Sequence, residues 1–166
     1  NPPIDAYREK IVTSELSYLG SEGNLLCPDE SVLERIQLKK PVLNEAQLSS
    51  IDHSYFNVTY LSTLYTDDLE SSLNELGNRA IQAVHEGAKI LVLDDKSLTH
   101  ENSYAMPILL ALSHVHQLLI REGLRMETSL IAQSGETREV HHVACLLGYG
   151  ANAVVPYLSL IHISEP

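Results

Sequence analysis

The stretch SGETREVHHVACLLGYGANAVVPY, residues 134–157, decides the fold together with the apolar run at 128–132 that precedes it. The apolar run predicts a strand, and the turn formers at 133–135 lead into a helical pattern. Residues 153–155 are apolar and β-branched, and Pro156 closes them, so they predict a second buried strand. Strand, turn, helix and strand within about thirty residues are typical of a βαβ unit.

The predicted helix inside this stretch has a clear start and end. Glu136 and Glu139 lie at its beginning, where the helix dipole favours negative charge. Gly148 and Gly150 end it, because glycine accepts the left-handed backbone of a C-terminal cap. The apolar stripe of this helix is predicted to be Val140, Val143, Ala144 and Leu147.

The region before this stretch repeats the same order of elements. A helix is predicted from Asp67, with Glu70 completing a capping pattern, to Gly87, and a strand buried on both faces follows at 90–93. A second helix runs from Pro107 to about 122 and ends at Gly123. The first of these two helices has an apolar stripe made of Leu69, Leu73, Leu76, Ala80 and Val84. The fold class is therefore α/β, with alternating helices and mainly parallel strands, as an open sheet or as part of a barrel.

The amino-terminal part gives weaker signals. Asp5 can cap a helix that reaches about residue 16, and a short helix is predicted over 29–38. Asn44 can cap another short helix at 45–51. The alternation of apolar and polar residues within 54–65 predicts a strand.

Composition excludes several classes of function. The chain has 166 residues, 44% of them hydrophobic, and a net charge of −11, which disfavours nucleic acid and anionic membrane as partners. No apolar run approaches the roughly 20 residues that span a bilayer. Two cysteines, Cys27 and Cys145, favour a reduced, cytoplasmic setting over a disulfide scaffold.

Loops that follow strands form the functional face of parallel α/β folds, so the loops at 94–97, at 133–136 and after Val155 are expected to converge. Asp95 or Glu136 could act there as a general base, or could serve as a helix cap and a solvated loop acid. Ser134 and Gly135 precede a helix and could bind an anion with help from Arg138. The acids at 136 and 139 would oppose that anion.

The histidines and cysteines give no motif for metal or nucleophilic chemistry. His141 and His142 lie about 100° apart on a helix, and His114 and His116 about 200° apart, so neither pair has the i, i+4 spacing of two ligands on one face. One histidine of each pair is expected to be half-buried and the other exposed. Cys145 lies in an apolar helical run and is predicted to be in the core and inert.

Three separated motifs carry a resemblance to a known family. NPPID at residues 1–5, YLGSEGNLL at 18–26 and the stretch at 134–157 resemble the central domain of the glutamate synthase large subunit, in the same order. The resemblance runs from residue 1 to about 157. Residues 31–65 resemble the family in the general type of residue but carry no matching motif.

The resemblance implies a parent enzyme that makes two glutamates from glutamine, 2-oxoglutarate and reducing equivalents. In this family a glutaminase domain releases ammonia, and a later barrel domain carries FMN and a 3Fe-4S cluster. The central domain lies between them and helps form the internal ammonia route. Residues 1–157 would be an incomplete central domain with no catalytic, cofactor or metal residue of their own, inactive alone, and the electron donor would be NADPH or ferredoxin, with a small reductase subunit as a further partner.

The family's densest motif gives six candidate residues, expected to act as interface or scaffold positions: Ser134, Gly135, Glu136, Arg138, His141 and His142. The sequence departs from the family at Ala6, where proline is usual, and at Val155, where asparagine is usual. A polar contact from that asparagine cannot form here. The competing hypothesis is a free-standing module that binds phosphate or flavin on the Ser134 loop.

Residues 158–166, LSLIHISEP, do not continue the preceding pattern of helices and strands. They resemble an in-frame translation of a sequencing-library adapter. They are expected to be foreign to the domain. The alternative is a natural C-terminal strand.

Overall fold

The computed structural model describes residues 5, 7–9, 13–14, 16–24, 26–27, 34–51, 53–96 and 103–158. Its helices and strands alternate along the carboxyl-terminal two thirds of the chain. In chain order the elements are β1 (Ser17–Leu19), β2 (Ile36–Leu38), α1 (Glu45–Ser49), α2 (His53–Phe56), β3 (Val58–Ser62), β4 (Leu64–Tyr65), α3 (Leu69–His85), β5 (Ile90–Asp94), β6 (Tyr104–Ala105), α4 (Ile108–Arg121), a 3-10 turn (Arg125–Glu127), β7 (Ser129–Gln133), α5 (Val140–Gly148) and β8 (Ala153–Val155).

The central sheet is parallel and has the order β3-β5-β7-β8. Each of these four strands therefore pairs with the strand of the same sheet that follows it along the chain, and one helix forms each crossover. Right-handed crossovers in this order place α3, α4 and α5 on one face, where α4 packs against both of the others. The α/β prediction is confirmed, and the described strands form an open sheet and two short ribbons.

Strand β5 is buried on both faces, as the apolar run at 90–93 predicts. Ile90, Leu91, Val92 and Leu93 all have 0% exposure. Alternation along the strand sends Leu91 and Leu93 to the helix side and Ile90 and Val92 to the other. Full burial of an aliphatic side chain contributes about 2 kcal/mol, and β5 places such side chains in both core clusters.

The face opposite the long helices is covered by the amino-terminal elements. Leu19, Leu43 and Leu48 from this part of the chain join the core cluster that contains Ile90 and Val92. β1 and β2 pair antiparallel beside them. Ser129 ties this layer to the sheet, because its hydroxyl donates to the carbonyl of Gly20 at 2.9 Å and accepts from the Gly20 amide at 3.0 Å.

Most helix boundaries follow the predicted signals. Asn44 forms a reciprocal capping box with Gln47 at the start of α1. The predicted stripe of α3 lies against the core, with Leu76, Ala80 and Val84 buried. The cap of α3 is Asp68, whose carboxylate accepts from the Ser71 amide at 2.7 Å, so the expectation of Asp67 is wrong by one residue.

Three local predictions in the amino-terminal half need correction. The helix predicted over 29–38 is wrong at its end, because Ile36–Leu38 is strand β2 and alternates half-buried and exposed residues. The strand predicted over 54–65 begins only at Val58. Before it lie the short helix α2 and a left-handed turn at Asn57, whose φ of +45° asparagine tolerates better than most residues. The helix predicted from Asp5 lies mostly outside the described residues, although Asp5 accepts from the Tyr7 amide at 3.0 Å.

The last helix, α5, is shorter and rotated relative to the prediction. It begins at Val140, so Glu136 lies outside it and Glu139 is its N-cap without a side-chain cap bond. Val140 is 75% exposed, whereas Val143 and Leu146 are the buried residues. Contacts with α4 and β8 select this face of the helix, which the apolar pattern alone cannot decide.

Within the residues that the structure describes, no helix combines the length and the apolarity needed to cross a bilayer.

Candidate functional site

The carboxyl ends of the central strands meet at one edge of the sheet. Asp94 ends β5 and lies in register with Ser62 of β3 and with Gln133 of β7, which in turn pairs with Val155 of β8. The loops that follow these strands are therefore brought together, as expected from their position in the sequence. They form a hydrogen-bonded cluster around Asp95.

Asp95 is 4% exposed and its carboxylate accepts three hydrogen bonds. The Ser134 hydroxyl donates to it at 2.6 Å, the Tyr157 hydroxyl at 2.7 Å and the Gly135 amide at 3.2 Å. Ser134 also accepts from the Glu136 amide at 3.1 Å. We call these residues, Asp95, Ser134, Gly135 and Tyr157, the Asp95 cluster.

The Asp95 cluster favours a neutral Tyr157. Burial, and then the hydrogen bond to Asp95, raise the pKa of Tyr157 well above its ordinary value of 10.0. The phenol therefore keeps its proton and remains a donor to the carboxylate. Asp95 in turn has its lone pairs directed at three donors of its own chain, so it serves to join the three loops.

The same contacts explain why the Ser134 loop does not act as an anion site. The two donors that were expected to bind an anion, the Ser134 hydroxyl and the Gly135 amide, already bind the Asp95 carboxylate. The space beside Gly135 is narrow, because a Cβ at this position would lie 3.1 Å from the Tyr157 hydroxyl oxygen. Helix α5 starts only at Val140, so its free amides lie beyond this loop. A phosphate or flavin module built on the Ser134 loop is not supported.

Glu136 caps a helix, although not the one expected. Its carboxylate accepts from the Ile108 amide at 2.9 Å, at the start of α4. The N-cap of α4 is Pro107, which has no side chain able to accept this bond, so Glu136 supplies the acceptor from a distant loop. Glu136 therefore caps α4, whereas the sequence pattern places it at the start of α5.

The remaining candidates line an open groove between α4 and α5. This groove has a volume of about 540 Å³ and is bordered by Arg138, His141, His142 and Cys145. His142 Nδ1 lies 3.3 Å from the Arg138 amide, which donates to it, and His141 Nε2 lies 3.5 Å from Cys145 Sγ. Both histidines are exposed, so the expectation of one half-buried member in this pair is wrong. Cys145 is half-buried rather than part of the core.

Thr137 contributes a polar atom to the same groove. The side chain is 1% exposed, and its hydroxyl has no hydrogen-bond partner among the described residues. A buried hydroxyl without a partner costs about 1–3 kcal/mol, so such atoms are uncommon in folded proteins. Sequence reasoning missed Thr137, because nothing in its neighbours distinguishes it from an ordinary turn residue.

The other histidine pair lies further along α4, with His114 close to Gly77 and His116 close to Gly150. His114 and His116 are both half-buried, so the expected division between a buried and an exposed member is wrong here also. Burial lowers the pKa of both, and Arg121 and Arg125 lower them further. His116 Nδ1 accepts from Arg125 Nε at 2.9 Å, which requires that nitrogen to be unprotonated.

Arg125 is the second residue that sequence reasoning missed. Its guanidinium donates to the carbonyls of Thr128 and Gly150 and to the side chains of His116 and Asn152, at 2.7–2.9 Å. It joins the start of β7 to the loop before β8, at the amino end of the sheet. No local pattern indicates it, because its partners come from three segments.

Metal ligation finds no support in the described ranges, where no group of three or more histidine, cysteine, aspartate or glutamate side chains could hold a metal ion.

Comparison with known proteins agrees with the resemblance carried by the motifs. The family described as "Glutamate synthase central domain" matches residues 1–165. The chain is 46% identical over 162 residues to the glutamate synthase [NADPH] large chain of Bacillus subtilis, covering 96% of this chain and 11% of that one. It is 44% identical over 172 residues to ferredoxin-dependent glutamate synthase 2 of Synechocystis, covering 99% and 11%. A glutamate synthase [NADH] of Schizosaccharomyces pombe is 36% identical over 172 residues, covering 96% and 8%. The chain thus spans about a tenth of the length of the curated relatives it matches.

Proposed function

The chain belongs to the glutamate synthase central-domain family, and we propose that it works as part of the central domain of a glutamate synthase large subunit. The observation that carries this proposal is the match along nearly the whole chain to a small portion of much longer enzymes. The geometry supports a scaffold role, because the strand ends where an α/β domain usually binds its ligand are joined to one another by Asp95.

In the parent enzyme, glutamine, 2-oxoglutarate and a reductant yield two molecules of glutamate. A glutaminase domain of the same chain releases ammonia, and an FMN-binding synthase domain consumes it. The central domain lies between these two domains and helps form the ammonia route. Relatives named for NADPH, ferredoxin and NADH imply a redox partner, which is ferredoxin or a small reductase subunit. The proposed compartment is the cytoplasm.

The FMN and the 3Fe-4S cluster of the parent are assigned to its other domains. A cluster of that kind is held by several cysteine thiolates, whereas Cys27 and Cys145 are the two cysteines of this chain. The Ser134 and Gly135 donors, which a flavin phosphate on this loop would need, are hydrogen-bonded to Asp95. The described residues therefore do not fit either group.

The six candidate residues divide into two roles under this proposal. Ser134, Gly135 and Glu136 are scaffold positions, since their partners are Asp95 and the start of α4. Arg138, His141 and His142 line the groove between α4 and α5 and form an interface with a neighbouring domain of the parent chain. Val140, 75% exposed beside them, extends the same surface with an apolar side chain.

The domain boundary forms part of the same proposal. Residues 1–157 belong to the central domain, and residues 158–166 are foreign to it. The tail from residue 159 onward lies outside the described residues. Sequencing the source gene beyond both ends tests this boundary: a reading frame that continues into the family pattern in place of LSLIHISEP supports it, and the same nine residues followed by a stop codon in the genome overturn it.

A domain exchange tests the function. Residues 1–157 replace the matching segment of the Bacillus subtilis large chain, and glutamine-dependent glutamate synthesis is followed by NADPH oxidation with the partner reductase present. The expected chimera retains activity within about tenfold of the parent. The two half-reactions, glutamine hydrolysis and ammonia-dependent synthesis, are measured separately on the same preparation.

The control is a chimera that receives the matching segment of the Synechocystis relative, which is 44% identical to this chain. If the control is active while this chain gives an enzyme with normal flavin content and both half-reactions but no coupled synthesis, the proposed function is wrong. Loss of flavin content in this chimera alone would also contradict it, because a native central domain should support the fold of its neighbours.

A further inference from the structure

The groove between α4 and α5 contains a buried hydroxyl that the described residues leave without a hydrogen bond. Thr137 lines this groove and is 1% exposed, and its Oγ1 has no partner among those residues. A buried polar group without a partner is destabilising, so an occupant of the groove that binds this hydroxyl explains the position best. The volume of about 540 Å³ is within the usual size range of binding sites. We call it the Thr137 groove.

The groove also receives the amino end of α5. Thr137 and Arg138 precede this helix. His141 and His142 lie in its first turn and line the groove as well. The N-cap residue, Glu139, makes no side-chain cap bond, and the first amides of a helix have no acceptor within it. The positive end of the helix dipole therefore favours an occupant with negative charge.

The charged groups around the groove are compatible with an anion. Arg138 brings a permanent positive charge to the lining. Nδ1 of His142 accepts from the Arg138 amide at 3.3 Å, so a neutral His142 ring carries its proton on Nε2 and offers a donor. Glu136 accepts from the Ile108 amide at 2.9 Å, and the positive end of α4 balances part of its charge. Glu139 is exposed, where salt and water screen its charge.

The rest of the lining is mainly apolar. Ile108 and Leu109 of α4 and Leu146 of α5 contribute hydrocarbon to the groove. Val140, beside it, is 75% exposed. Exposed apolar surface next to a groove with a polar rim is typical of an interaction site. An occupant that carries a carboxylate next to an aliphatic side chain satisfies both kinds of lining.

We propose that the Thr137 groove receives a segment of a neighbouring domain of the parent chain, in which an aspartate or glutamate stands next to an aliphatic residue. The carboxylate accepts hydrogen bonds from the Thr137 hydroxyl and from the start of α5, and the charge of Arg138 attracts it. The origin of this segment rests on the proposed function, because the chain spans about a tenth of its relatives and other domains must supply the segment. The preference for a carboxylate follows from the lining of this chain alone.

Hexanoate is the first probe, because it combines a carboxylate with an aliphatic chain. Thermal unfolding of the 166-residue chain is followed by circular dichroism at neutral pH and constant ionic strength. Sodium hexanoate is expected to raise the unfolding midpoint with saturation, and sodium acetate, which lacks the aliphatic chain, to act more weakly. Hexanol and hexylammonium chloride, which lack the carboxylate, are expected to give no saturable rise.

Thr137→Val is the decisive variant, since it keeps the shape of the side chain and removes its hydroxyl. The affinity for hexanoate should fall about fivefold or more, whereas the unliganded chain should lose no stability, because this hydroxyl has no partner to lose. Thr63→Val is the matched control. Thr63 is 0% exposed and its hydroxyl donates to the Asp94 carbonyl at 3.2 Å, so this variant should lose stability and keep its affinity. Arg138→Gln should weaken binding several-fold, and Arg121→Gln, exposed but outside the groove, should not.

Photo-crosslinking in the domain-exchange chimera identifies the occupant. A photoreactive amino acid replaces Val140, and the crosslinked peptides are sequenced by mass spectrometry. The expected crosslink joins position 140 to a segment outside residues 1–157 that contains an aspartate or glutamate beside an aliphatic residue. The same replacement at Tyr149, which is 53% exposed and lies outside the groove lining, should not give this crosslink.

Three results would each overturn the inference and leave the proposed function intact. They are equal binding of hexanoate and hexylammonium, an unchanged affinity in Thr137→Val, and an active chimera whose position 140 crosslinks to no acidic segment. If the chimera is inactive while the chain binds hexanoate through Thr137, the proposed function is wrong, and the occupant named here is overturned with it, although the carboxylate site stands. If Thr137→Val does not fold, Arg138→Gln and the comparison of probes decide the question.

Discussion

Asp94 and Asp95 are neighbours in sequence and have opposite surroundings. Asp95 is 4% exposed and binds three donors of its own chain, whereas Asp94 is half-buried and accepts one. The alternation of side chains at the end of a strand separates the two, so that one joins the loops and the other lines a pocket. Two carboxylates at a strand end therefore do not indicate a single site.

The difference lies in how completely each carboxylate is satisfied. Asp95 receives donors from the loops after β7 and β8, so its carboxylate has hydrogen-bond partners that exist only in the folded chain. Asp94 loses water without a comparable set of donors, and this loss raises its pKa. One residue should hence stabilise the fold, and the other should weaken it slightly.

Removal of the Asp95 carboxylate should have the largest effect. Asp95→Ala leaves the Ser134 hydroxyl, the Tyr157 hydroxyl and the Gly135 amide without their acceptor in a buried position. The free energy of unfolding should fall by about 3–5 kcal/mol, measured by urea denaturation. Asp67→Ala, at an exposed position, should change it by less than about 0.5 kcal/mol. A loss below about 1 kcal/mol at Asp95 would mean that the cluster does not join the loops.

Crowding of the Asp95 cluster should have the next largest effect. In Gly135→Ala the new Cβ would lie 2.6 Å from Leu158 Cδ1 and 3.1 Å from the Tyr157 hydroxyl. The side chain of Leu158 can move, so the expected loss in unfolding free energy is about 1–3 kcal/mol. Gly148→Ala is the control, because nothing lies within 4 Å of its Cβ and alanine favours the helix. Equal effects at the two glycines would contradict a packed cluster.

The sequence predicts the parts of the fold that local patterns determine. The four apolar residues at 90–93, the capping residue Asn44 and the glycine after α3 all lie where the pattern places them. Each of these signals depends on neighbours within one or two turns of chain. The order of the parallel strands follows, because short crossovers join adjacent strands.

The candidate site could be predicted only in part, because its contacts join distant segments. The convergence of the loops follows from the strand positions, but Tyr157 and Asp95 lie 62 positions apart, and no local pattern links them. The same reason hides Arg125 and the capping of α4 by Glu136. At 36–38 the apolar alternation spans only three residues, too few to distinguish a strand from a helix turn.

Loss of a single donor should have a smaller effect that depends on pH. Tyr157→Phe removes one hydrogen bond to the Asp95 carboxylate and should lower the free energy of unfolding by about 1–2 kcal/mol at neutral pH. The pKa of Tyr157 is raised in the folded chain, so its contribution is complete below pH 10.0 and is lost as the pH rises further. The difference between the two chains should therefore shrink above pH 10.0. A stability difference that stays constant above pH 10.0 would contradict a raised pKa of Tyr157 in the folded chain.

The smallest effect should have the opposite sign. The pKa of Asp94 is raised above 3.8 in the folded chain, so the ionised carboxylate costs stability at neutral pH. Asp94→Asn should raise the free energy of unfolding by less than about 1 kcal/mol, because the half-exposed group is screened by solvent. The gain should vanish below pH 3.8, where the carboxyl group is protonated in both the folded and the unfolded chain. Asp67→Asn, with the same change in charge, separates this local effect from the general benefit of reducing the net charge of −11. A loss of stability in Asp94→Asn would show that Asp94 binds donors as Asp95 does, and the contrast between the two neighbours would disappear.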